Sequence, residues 1–110
     1  MTPVSAIYKF PLAGPGEFEL TLPAPRAFTH VGLDHEGTPC LWAVVDPKVQ
    51  PEPFRFYLAE DGKLLPGGLE MDYVGSYTVR TFTETKTVKG KPQAFVTSGY
   101  TRHLYRLYTP

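Results

Sequence analysis

The candidates for metal or hydrolytic chemistry are His30, Asp34, His35, Glu36 and His103. His30 and Asp34 lie four apart, so in an extended chain they share a face. His35 and Glu36 stand beside Gly37 in a turn-like segment. No HxH, HExxH or CxxC spacing occurs, and one cysteine does not build a structural zinc site. A turn histidine beside a carboxylate is ordinarily solvated, so neither a metal nor another cofactor is expected. Cys40 with His30 is the one thiol–imidazole pair to consider. A reactive thiol needs an accessible, electropositive surrounding. Cys40 has Pro39, Leu41 and Trp42 as neighbours, and a buried thiol is the expectation. Gly14-Pro15-Gly16 and Pro66-Gly67-Gly68 read as turns rather than phosphate cradles, and there is no GxSxG. No catalytic residue is assigned, and the chain is expected not to be an enzyme.

A second kind of chemistry is recognition by charge. Formal net charge is zero, but the halves differ. Residues 1–78 hold five bases against ten acids, a net of −5. Residues 79–110 hold Arg80, Lys86, Lys89, Lys91, Arg102 and Arg106 against Glu84, a net of +5. The halves either neutralise each other in the fold or leave one basic face for an acidic partner. Phe82, Tyr100, Tyr105 and Tyr108 interleave with these bases. Rings with cations are also what a nucleic-acid site needs, so that partner class stays open.

The elements that must carry these groups are strands. Phe28 to Pro47 reads as a hairpin, with Asp34-His35-Glu36-Gly37-Thr38 between two apolar runs. Cys40–Val45 is apolar at every position, which predicts a central strand covered on both faces. The expected core is Trp42, as its largest anchor, with Cys40, Leu41, Val44, Phe54 and Phe56. Ala6–Phe10 reads as a first strand. Glu17–Leu22 alternates, placing Phe18, Leu20 and Leu22 on one face. Phe54–Ala59 is another strand, and Leu64–Asp72 reads as a loop. Tyr73–Phe82 is a long β run in which Gly75 marks a bulge or a close backbone approach. Thr81–Val88 and Gln93–Val96 form the arms of an exposed hairpin, turned by Lys89-Gly90-Lys91 and broken at Thr97-Ser98-Gly99. Arg102–Tyr108 closes the fold as a strand, although a short amphipathic helix also fits its pattern.

Six to eight short strands predict an all-β domain over 1–110, a small antiparallel sandwich or partly open barrel with a projecting C-terminal hairpin. Twelve prolines and ten glycines fall between the apolar runs and oppose long helices. The single Cys40 excludes an internal disulfide. The opening MTPVSAIYKFP has no basic leader or apolar stretch of signal length, and no uncharged run is long enough to cross a bilayer. A cytoplasmic protein without a membrane partner is expected.

Tyr8-Lys9-Phe10-Pro11-Leu12, His30-Val31-Gly32, Gly37 to Pro47 and Tyr73-Val74-Gly75 stand in the order and spacing of a known pattern. Over residues 7–78 the chain resembles an uncharacterised family of small phage and prophage proteins. That family shares an IYKYPL start, an HVG…G-PCLWA-VD centre and an LEY-G element. The resemblance implies a phage origin, action in the bacterial host cytoplasm and a domain of unknown function, with no established catalytic residues. The chain departs from the pattern at Phe82–Thr101, an extra segment holding three of the six C-terminal bases. The expected role is therefore binding to a host or phage protein through Arg80, Lys86, Lys89, Lys91, Arg102 and Arg106. A host-takeover or anti-defence inhibitor and a minor assembly component are its two forms. A nucleic-acid-binding module using the basic and aromatic C-terminal part is the alternative, with a small-molecule or metal-dependent enzyme ranked behind it.

Overall fold

The computed structural model describes residues 4–108, without the side chains of 80–86 and 94–98. Seven strands follow in chain order: β1 (Ala6–Pro11), β2 (Gly16–Leu22), β3 (Ala27–Leu33), β4 (Pro39–Val45), β5 (Glu52–Glu60), β6 (Glu70–Val88) and β7 (Lys91–Tyr108). They form two antiparallel sheets, ordered β1-β4-β3 and β2-β5-β7-β6. No helix occurs among the described residues, and the sheets do not close into a barrel.

The period of two decides what each sheet buries. Val31, Leu41, Ala43 and Val45 from the first sheet meet Leu22, Phe56, Leu58, Tyr77 and Leu104 from the second. Phe56 is fully buried and lies between Phe18, stacked at 5.9 Å, and Phe28, edge-on at 6.2 Å. The molecule is a β-sandwich whose core is this two-sided layer.

β4 is central in its sheet, with β1 and β3 on either side. Its apolar run does not have two covered faces. Leu41, Ala43 and Val45 point into the core, and Cys40 is buried on the other side. Trp42 and Val44 are only half-buried on that outer side, and Ile7, the register partner of Val44, is exposed. The expectation of a buried Trp42 anchor is thus corrected, because among the described residues no second layer covers the outer face of this three-stranded sheet. Phe54, also expected in the core, is half-buried and packs at its margin. Phe56, and not Trp42, is the large ring at the centre of the core.

Two further expectations change. Glu70–Asp72 is strand, not loop, because Tyr108, Leu107 and Arg106 pair with it. Thr97-Ser98-Gly99 does not end a strand either. β7 runs through it, and the irregularity appears as register shifts opposite, at Arg80/Phe82 and Phe82/Thr83. Arg102–Tyr108 is strand throughout.

Past the Glu60–Arg102 pair, β6 and β7 pair only with each other. Ten residues from Val79 to Val88 carry this ribbon roughly 30 Å outward. The molecule measures 68 × 36 × 16 Å. Its tip is a two-residue turn in which Lys89 and Gly90 both have positive φ (53° and 78°), the mirror-type turn that matches strand twist.

Candidate functional site

Asp34 closes the β3–β4 loop. Its Oδ1 accepts from the backbone N–H groups of Glu36 and Thr38, each at 2.9 Å. Its Oδ2 accepts from Lys9 Nζ on β1 at 2.9 Å, and the Cys40 thiol donates weakly at 3.8 Å. Gly37 takes the positive φ that the loop requires, at 82°. The Lys9 hydrogen bond and the Thr38 N–H hold the Asp34 carboxyl well below the usual carboxylate range. Burial pushes the Cys40 thiol upward, away from thiolate. This group fastens a loop and leaves the sulfur unactivated.

The pH consequence follows in sign. A carboxyl whose folded pKa is depressed adds stability above its unfolded value, about 4, and loses it as pH falls toward the folded one. Asp34→Asn should therefore flatten the acid side of the stability profile. Urea midpoints of both proteins between about pH 2 and pH 6 check this; parallel curves contradict it.

The other candidate groups are not drawn together. His30 is exposed on β3, 5.1 Å from the Trp42 ring, and its Nε2 lies 2.6 Å from where a Cβ on Gly32 would be. His35 and Glu36 approach to 3.5 Å in the exposed loop. Among the described residues no three His, Cys, Asp or Glu side chains cluster as metal ligands.

His103 has a setting that the sequence did not reveal. Its Nε2 meets Asp61 Oδ1 at 2.7 Å, and its Nδ1 meets Ser76 Oγ at 2.7 Å. Ser76 Oγ in turn meets Tyr73 Oη at 2.6 Å. These residues come from β6, β7 and the turn after β5, and no local motif announces them.

The four basic residues whose side chains are described, Lys89, Lys91, Arg102 and Arg106, also separate. Lys89 and Lys91 are exposed at the ribbon tip. Arg80 and Lys86 lie outside the described side chains. Arg102 lies over the Tyr100 ring at 4.6 Å, and Arg106 sits over Phe54 at 5.0 Å and Tyr108 at 4.9 Å. These two arginines cover aromatic faces along the sheet instead of extending the charged tip. Tyr108 also donates to Asp72 Oδ2 at 2.8 Å, which ties the end of β7 to β6.

A family model described as a domain of unknown function (DUF7352) matches residues 3–85 of the 110-residue chain. The chain belongs to this family. The match includes Phe82–Thr85, the start of the segment read as an insertion. It leaves out β7, the strand lying between β5 and β6. No curated protein and no solved structure matches the chain.

Proposed function

We propose that this family member acts by binding another protein, with the β6–β7 ribbon as its docking arm. The supporting observation is the ribbon itself: a two-stranded extension past the sandwich, ending in exposed Lys89 and Lys91. A basic tip on a chain whose first 78 residues carry a net of −5 selects an acidic surface and speeds encounter with it. The phage-type resemblance makes a host or phage protein the partner. The chain is then an inhibitor used in host takeover or against defence, or a minor assembly component, in the bacterial cytoplasm.

Nucleic acid is the competing partner. The rings that would stack bases are partly occupied, since Arg102 covers Tyr100 and Arg106 covers Tyr108. That favours the protein reading.

Changing Lys89 and Lys91 together to Glu should leave the thermal midpoint nearly unchanged, because these charges are exposed and such charges contribute little to stability. Association with the protein captured from bacterial lysate should slow at low salt and lose most of its salt dependence. Association rates across a salt series measure this. Identical rates and salt slopes would remove the arm from the interface. A uniform loss of affinity for duplex DNA oligonucleotides would instead transfer the reading to nucleic acid.

A further inference from the structure

We propose that Ser76, His103, Asp61 and Tyr73 form an acyl-transfer site that hydrolyses small aryl esters on the outer face of the four-stranded sheet. The site is additional to the arm and does not depend on it.

Strand register creates it. Ser76 on β6 and His103 on β7 are paired residues, so their side chains stand side by side. Ala59 on β5 pairs with His103 from the other side. Just beyond β5, the Asp61 N–H donates to Thr101 O at 3.3 Å, which holds Asp61 against β7. Tyr73 and Ser76 are three apart, and in a regular strand they would face opposite ways. The register shift between Tyr73 and Gly75 reverses the parity and sets both hydroxyls on one face.

The hydrogen bonds run in one direction. The Asp61 carboxylate accepts from His103 Nε2–H, which fixes the tautomer and leaves Nδ1 as an acceptor. Ser76 Oγ–H then donates to Nδ1, and Tyr73 Oη–H donates to Ser76 Oγ. This is a nucleophile, a base and a group that orients the base, with the two nitrogens in the reverse of the familiar order. Tyr73 is 60% exposed and the His103 side chain 32%, so an ester reaches Ser76 from solvent. The Tyr105 ring, edge-on to Tyr73 at 5.7 Å, gives an aryl group a surface to lie against.

Each step balances. Ser76 Oγ bonds to the ester carbonyl carbon, its proton passes to His103 Nδ1, and the carbonyl oxygen becomes an oxyanion that accepts from Tyr73 Oη–H. The carbon–oxygen bond to the leaving group then breaks, and His103 returns the proton to the departing phenol oxygen. Water attacks the acyl-serine, gives its proton to Nδ1, and the acid leaves as Ser76 Oγ is reprotonated. Water is the only co-reactant.

A fluorophosphonate reagent should modify the intact protein once, and peptide mass spectrometry should place the adduct on Ser76. p-Nitrophenyl acetate should give a burst that Ser76→Ala removes. His103→Ala should slow labelling about 100-fold, the ordinary worth of a positioned base. Asp61→Asn should lower the rate and displace its pH profile, as expected of a positioning residue. Tyr73→Phe should slow ester turnover. An adduct elsewhere, no adduct after prolonged incubation, or labelling of His103→Ala at the wild-type rate would overturn the site. Locating the adduct in the unmodified chain requires no variant to fold, and an unchanged thermal midpoint qualifies each variant used.

Discussion

Phe56→Ala is expected to cost about 3–5 kcal/mol, the largest loss from any single side chain here. Phe56 is fully buried, at 0% exposure, and is the bulkiest such residue among those described. Its ring joins the sheets, touching Phe18 on β2 and Phe28 on β3. Truncation removes apolar area from the core and leaves a cavity between two hydrogen-bonded layers that are slow to collapse around it. Trp42→Ala removes more atoms from a half-exposed position on the outer face of β4 and should cost clearly less. Urea unfolding of both variants decides the order. In a domain this small each kcal/mol also moves the thermal midpoint by about 4–8 °C. A Trp42→Ala loss equal to or above that of Phe56→Ala would show that the outer face of β4 is covered after all.

Gly75→Ala should follow, at about 1–3 kcal/mol, through overpacking. A Cβ at Gly75 would stand 2.8 Å from Val31 Cγ2 and 3.0 Å from Val31 Cβ. Val31 is itself buried, in the core between the sheets. The glycine therefore sets how closely β3 on one sheet approaches β6 on the other. The cause is one identifiable contact, so it can be relieved. Adding Val31→Ala to Gly75→Ala should cost less than the sum of the two single changes, with a coupling of about 1 kcal/mol. Strict additivity in a double-mutant cycle would place the strain elsewhere.

Local chemistry made much of this fold legible. The alternation of Phe18, Leu20 and Leu22 needs no partner strand to be read. The loop Asp34-His35-Glu36-Gly37-Thr38 carries its own turn-forming groups and falls between β3 and β4 as expected. Gly75 signalled a bulge or a close contact, and the structure has both. The misreadings share one origin. An all-apolar β4 predicts a second covering layer over Trp42, but strand composition does not reveal one, since burial of an outer face depends on how many layers the chain builds. Glu70–Asp72 and Thr97-Ser98-Gly99 look like loops by composition, and partner strands make them ladder. The chain from Asp61 through His103 and Ser76 to Tyr73 spans three separate stretches and depends on a parity reversal. No spacing rule reaches such an arrangement.

The placement of β7 between β5 and β6 bears on the order of assembly. On a ribosome β5 and β6 emerge first, and both wait with unpaired edges, the state in which sheets recruit wrong partners. The strand that must fill the gap comes last. It does not have to search for its slot, because a two-residue turn joins it to β6. Closure can start at Val88 and Lys91 and run down the ribbon residue by residue, each pair adding little loop entropy. By the time it reaches Arg102, β7 is already held in register to meet Glu60. The ribbon thus works as a zipper that delivers an interior strand by a local route in an otherwise long-range topology.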